Sequence, residues 1–149
     1  MLRFIGLAVV IGSGAVSAAR GQTAQAPAAI EVVATDYAFG VLPAVIAAGP
    51  TIFSFSNRGT VQHEMAIVRL RDGVTVDALL KLIKDGGRRR DVVERSVGIL
   101  IAGPGTSPDG KLVVDLIRGA NYVVLCNLKD TPDSPGHATL GMYKAFRAQ

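Results

Sequence analysis

The chain has 149 residues, a formal net charge of +4, one cysteine, two histidines and no tryptophan. A single cysteine excludes a disulfide framework and any site that needs a cysteine pair, and two histidines exclude a multi-histidine catalytic cluster. The composition leaves room for one small site.

The N-terminal residues read as an export signal. Met1-Leu2-Arg3 gives a short positive start, Phe4 to Val16 is apolar, and small residues follow in Val16-Ser17-Ala18 and Ala24-Gln25-Ala26. At 13 residues the apolar run is short for a membrane span. Cleavage after Ala18 and cleavage after Ala26 both fit, and a retained anchor is the alternative to either. Taking 1–26 as the signal leaves 27–149, 123 residues, as one domain with no membrane span of its own. Arg3 and Arg20 go with the signal and no acid does, so the net charge falls to +2 and nucleic acid is not an expected partner. The expected location is periplasmic or extracellular. There an unpaired cysteine must be buried or ligated to escape oxidation.

From Ile30 onward the pattern is mostly strands. Glu31–Thr35, Thr51–Ser56, His63–Leu70, Lys111–Ile117, Asn121–Cys126 and Gly141–Phe146 are β-branched, aromatic or apolar runs. Asn57-Arg58-Gly59, Pro108-Asp109-Gly110, Arg118 to Asn121 and Pro132 to Gly136 punctuate them as turns. One segment differs: Thr75 is placed to cap a helix through Val76, Leu79, Leu80, Leu82 and Ile83 to Asp85, stopped by Gly86-Gly87. A stretch rich in Arg, Gly and Pro then leads to Thr106. About seven short strands with one short helical insertion predict an all-β, Greek-key antiparallel β-sandwich.

Once the signal is removed, the soft or imidazole side chains are His63, Met65, Cys126, His137 and Met142. Ten residues separate Cys126 from His137, and four separate His137 from Met142. Taken singly, each has a plain structural reading: a packed cysteine, turn histidines, a core methionine. Together, a thiolate, two imidazoles and a thioether form the ligand set of a blue-copper site, in which Cys and two His hold the metal in a plane and Met is a weak axial ligand. Cys126 ends one strand, His137 sits in the connecting loop and Met142 opens the next strand, so all three converge at one end of the sandwich. Met65 shares a face with His63 and is expected in the core. A Cys/His₂ set also accepts zinc.

With those residues in place the sequence resembles the cupredoxins, specifically the exported plastocyanin/azurin-like single-domain blue copper proteins. The matching elements are Asn57-x-Gly59-x-x-x-His63, Gly119-x-x-Tyr122-x-x-x-Cys126 and Pro135-x-His137-x-x-x-Gly141-Met142, across about residues 30–147. The resemblance implies one type 1 copper ion held by His63, Cys126, His137 and Met142. It also implies single-electron transfer between redox partner proteins, with His137 as the electron's exit. Two features depart from the family pattern. The Cys126–His137 spacing is longer than in the best-known members, and Glu64 stands where the family has an asparagine that bonds the residue after the cysteine, here Asn127. Glu64 and Asn127 are therefore the expected supports of the ligand loops, with Glu64 as a metal ligand the alternative. Copper buffering or delivery, and a metal-free interaction module, are the alternative functions. An enzyme is not expected, because no further histidine is available for a second copper centre.

Overall fold

A computed structural model describes residues 26–149; residues 1–25, and with them nearly all of the export signal, lie outside the described residues. Two sheets face each other. One has the order β2-β1-β4-β7, with β1 at Ala28–Thr35, β2 at Ala38–Phe39, β4 at Gly49–Asn57 and β7 at Leu112–Leu116. The other has the order β3-β9-β8-β5-β6, with β3 at Val45–Ile46, β9 at Tyr143–Ala148, β8 at Asn121–Leu125, β5 at His63–Leu70 and β6 at Val93–Ala102. The architecture is a cupredoxin-like β-sandwich, and the sheets are mixed: β1 pairs with β4 and β3 with β9 in parallel, all other pairs being antiparallel. The ten-residue β6 fills most of what the Arg/Gly/Pro composition suggested was a connection.

Burial follows the strand period where one face is wet. In β4, Thr51, Phe53, Phe55 and Asn57 point inward and alternate with half-buried neighbours. Between the sheets Phe53 and Phe55 pack with Val32, Met65, Ile67, Val124 and Phe146. Tyr122 stacks on Phe146 with centroids 5.1 Å apart, and its hydroxyl accepts from Ile117 N at 2.9 Å, pinning the turn that feeds β8. Strands β5 and β8 are instead buried on both faces, which explains their continuous apolar runs. Their outer face is covered by helix α1 (Val76–Lys84). Thr75 caps it by accepting from Ala78 N at 3.2 Å, and Leu79 packs on Val68, Leu70, Val123 and Leu125.

One buried side chain ties together the end of the sandwich where β4 stops and β5 starts. Asn57 Nδ2 donates to the carbonyls of Val61, Ala102 and Gly103 at 2.8–3.1 Å, and its Oδ1 accepts from Gly59 N at 2.8 Å. Gly59 is required here for space: a Cβ would strike Asp36 Oδ1. Asn57 thus fixes the path by which the chain enters β5 at His63. Asn57→Ala leaves those groups unpartnered in a dry setting, so it should lower the urea-unfolding free energy by about 2–3 kcal/mol. A loss below about 0.5 kcal/mol, the size of an ordinary surface substitution, would contradict this role.

Candidate metal centre

Strand β5 opens at His63 and β8 ends at Leu125, so Cys126 emerges beside His63 at the closed end of the sandwich. The chain then loops through 127–136, and His137 begins a 3-10 turn, His137–Leu140. Main-chain bonds fold this loop back on itself. His137 N donates to Leu128 O at 2.9 Å, Ala138 N to Cys126 O at 2.7 Å, Met142 N to His137 O at 3.0 Å and Cys126 N to Met142 O at 3.2 Å. Gly141, at φ +105°, makes the left-handed step that returns the chain to Met142. His63, Cys126, His137 and Met142 are each between 0 and 1% exposed, and main-chain bonds hold Met142 beside Cys126 and His137.

Three of them present donor atoms to one another. His63 Nδ1 lies 3.2 Å from His137 Nδ1 and 3.9 Å from Cys126 Sγ, and His137 Nδ1 lies 3.4 Å from Cys126 Sγ. A triangle with these edges has a point in its plane about 2.0 Å from every corner, close to metal–imidazole and metal–thiolate bonds of about 2.0–2.3 Å. The outer nitrogens both face carboxylates: His137 Nε2 is 3.1 Å from Asp130 Oδ1, and His63 Nε2 has Asp36 Oδ1 at 3.5 Å. The latter distance lies outside hydrogen-bond geometry, so His63 Nε2 is a buried nitrogen with no hydrogen-bond partner. Placing each ring proton on Nε2, toward its carboxylate, leaves two Nδ1 lone pairs facing each other beside the sulfur. That arrangement favours a cation between them. Among the described residues, His63, Cys126 and His137 are the one group of His, Cys and acidic side chains close enough to share a metal ion, and they fit a single type 1 copper.

Glu64 sits one residue along β5 from His63 and faces the other way. Its backbone N–H donates to Cys126 Sγ at 3.4 Å, while its Oε1 accepts from Asn127 N at 2.9 Å and from Asn127 Nδ2 at 2.7 Å. Arg89 Nη2 in turn reaches Asn127 Oδ1 at 2.6 Å. Glu64 therefore ties β5 to the residue after Cys126 and is not one of the converging donors. Met65 is fully buried in the core.

His137, the electron's exit that the resemblance implies, is 1% exposed. The 127–136 loop wraps Asp130 against its Nε2. Tyr37, in the two-residue turn between β1 and β2, lies edge-on to both imidazoles, with centroids 5.1 Å from His137 and 6.3 Å from His63. Neither Tyr37 nor Asp36 carried a local signal in the sequence; only the sandwich brings that turn over the ligand loop.

Titration follows from these contacts. Burial pushes His63 below the ordinary histidine value, outweighing an upward pull from Asp36, and the nearby His137 adds to the fall. Burial likewise raises the Cys126 thiol, so the metal-free site holds a neutral thiol and a neutral His63 near pH 7. The Tyr37 hydroxyl holds the Asp130 carboxyl below the usual range. Two hydrogen bonds from Thr60 do the same for Asp36.

No protein-family profile matches the chain, and no curated protein matches it in sequence. Solved structures do. Sodium-dithionite-reduced auracyanin from the photosynthetic bacterium Roseiflexus castenholzii superposes with a TM-score of 0.55 at 20% identity, covering 84% of this chain and 99% of the other. Auracyanin B gives 0.55 at 19% identity, covering 84% and 91%. Auracyanin A, a "blue" copper protein from the green thermophilic photosynthetic bacterium Chloroflexus aurantiacus, gives 0.55 at 17% identity, covering 83% and 100%. At these identities the likeness is one of fold.

The His63 shift fixes a pH dependence for the metal-free protein. Its folded-state pKa lies below the unfolded value of about 6.5, so the stability carried by neutral His63 is present above that pH and lost as pH falls through the folded value. Urea midpoints of metal-free protein should therefore fall between pH 7.5 and pH 5, and His63→Gln should flatten that fall. An unchanged slope in the variant would contradict the assignment to His63.

Proposed function

We propose that this chain, a cupredoxin-like β-sandwich, is an exported type 1 copper protein that carries single electrons between redox partner proteins. The observation that carries the reading is the buried triangle of His63 Nδ1, Cys126 Sγ and His137 Nδ1, closed on a centre of metal-bonding size. When bound, copper supplies a one-electron Cu(II)/Cu(I) couple. Cys126 would lose its thiol proton to solvent on metal uptake and hold the ion as thiolate, His63 and His137 would offer Nδ1, and Met142 would add a weakly binding thioether. The loop bonds that hold Cys126, His137 and Met142 to one another resist movement of the ligands between redox states. A small change of shape on electron transfer is what an electron carrier needs.

Burial also weighs against copper delivery, since handing an ion to an acceptor requires the acceptor's ligands to reach it, and all three donors are sealed. Export is supported by the charge, apolar run and small-residue exit at 1–26, and by the state of Cys126. At 0% exposure the free thiol is shielded from the oxidising compartment in which such a signal would place it. No helix among the described residues is long and apolar enough to cross a membrane.

The test is a visible titration of the protein with Cu(II). One equivalent should give an intense thiolate-to-copper band that Cys126→Ser lacks, with close to one proton released per ion bound at pH 7. No band, and no copper retained after desalting, would remove the electron-carrier reading. Because the proton comes from Cys126, apparent Cu(II) affinity should rise with pH by up to about tenfold per unit below the thiol's pKa. A flat profile measured by competition with a chelator, corrected for the chelator's own protonation, would exclude the thiol as a ligand.

A further inference from the structure

The outer side of the donor triangle is acidic. Asp130 meets His137 Nε2, Asp36 faces His63 Nε2, and Glu64 holds the residue that follows Cys126. Asp130 is the most firmly placed of the three toward a donor ring. Its Oδ1 takes the imidazole contact at 3.1 Å, and its Oδ2 accepts from the Tyr37 hydroxyl at 2.6 Å. Tyr37 is the only non-glycine among the described residues with a positive φ, +59°, a backbone state that is unfavourable for a residue with a Cβ. The turn holds that conformation while the ring spans both imidazoles and the hydroxyl fixes the carboxylate. Side-chain exposure is 33% for Asp130, against 1% for His137, so the carboxylate lies between the buried ring and solvent.

We propose that Tyr37 and Asp130 form a positioning pair that biases the centre toward its oxidised state and so lowers its reduction potential; this rests on the copper reading above. The physical reason is a charge balance. When one electron leaves the site for a partner or an electrode, the charge of the site rises by one. A fixed carboxylate hydrogen-bonded to a ligand imidazole stabilises the more positive state over the less positive one, and it increases the electron donation of that ring. The partner for His137 Nε2–H is a full negative charge held at a set distance. Asp36, further from its histidine and already bonded to Thr60 N and Oγ1 at 2.7 Å, acts in the same direction with less effect.

Asp130→Asn separates charge from geometry, because the amide oxygen can still accept from His137 Nε2–H while the amide nitrogen donates to the Tyr37 oxygen. In mediated spectroelectrochemistry of the copper-loaded protein, Asp130→Asn should cut the preference for Cu(II) over Cu(I) about tenfold, a rise in midpoint of about 59 mV for one electron. Its visible band should remain. Tyr37→Phe, which keeps the ring and frees the carboxylate, should raise the midpoint by a smaller amount. A retained band with an unmoved or lowered midpoint in Asp130→Asn overturns the proposal; if that variant does not hold copper, an unmoved midpoint in Tyr37→Phe overturns it. A wild-type protein with no thiolate-to-copper band removes the copper reading itself, an outcome distinct from a blue protein with an unmoved midpoint. A copper-independent arm tests the positioning. Nitrogen NMR of isotope-labelled, metal-free protein at pH 8 should show His137 as the Nε2–H tautomer, becoming a mixture in Asp130→Ala. A wild-type ring protonated on Nδ1 overturns the proposal.

Discussion

Two imidazole nitrogens stand 3.2 Å apart with a thiol sulfur beside them, all three out of water. With the ring protons on the outer nitrogens, the juxtaposition is unfavourable in a dry interior: the two Nδ1 lone pairs repel, burial keeps His63 and Cys126 in their neutral forms, and His63 Nε2 has no hydrogen-bond partner. The surrounding structure must therefore impose it. Asn57 fixes the entry to β5, the 126–142 main-chain bonds fold the ligand loop onto itself, and Glu64 and Asn127 join the two parts. Helix α1 dries the outer face of the strands that deliver His63 and Cys126. Each of these is a stabilising interaction spent on holding groups that would otherwise separate.

The longer spacing between Cys126 and His137 has a structural use. Its ten intervening residues make an internally bonded loop, with Thr131 Oγ1 and Ser134 Oγ 2.7 Å apart and Lys129 Nζ donating to Pro132 O at 3.2 Å. The same residues carry Asp130 to the outer nitrogen of His137. His137 is covered by a carboxylate and a tyrosine. In the proposed electron-carrier role, electrons would pass through this cover rather than from an exposed ring edge. The extra residues thus relocate the outermost part of the centre from His137 to Tyr37 and Asp130.

How much of this was legible depended on whether the signal was local. The His63–Leu70 strand and the Thr75-capped helix could be read to the residue, because a β-branched run and a capping threonine act over a few positions. The donor set was legible because one cysteine and two histidines leave few combinations. Strand β6 was hidden by its composition: Glu94, Arg95 and Ser96 occupy its exposed first half, and Gly98, whose Cβ would strike Leu112, interrupts the apolar run. The parallel pairing of β1 with β4 is a long-range choice with no trace in either segment alone. Tyr37 and Asp130 were missed for the same reason, being 93 positions apart and joined by a single hydrogen bond.

The central claim is that the fold, before any ion arrives, already sets the three donors at bonding separation around one point. The most direct measurement is a pair of crystal structures of the protein, metal-free and copper-loaded. The account predicts one copper bonded to His63 Nδ1, Cys126 Sγ and His137 Nδ1, with those atoms displaced by less than about 0.5 Å from the metal-free positions. Copper bound elsewhere, or a ligand loop at 127–136 that must refold to admit it, would contradict the claim.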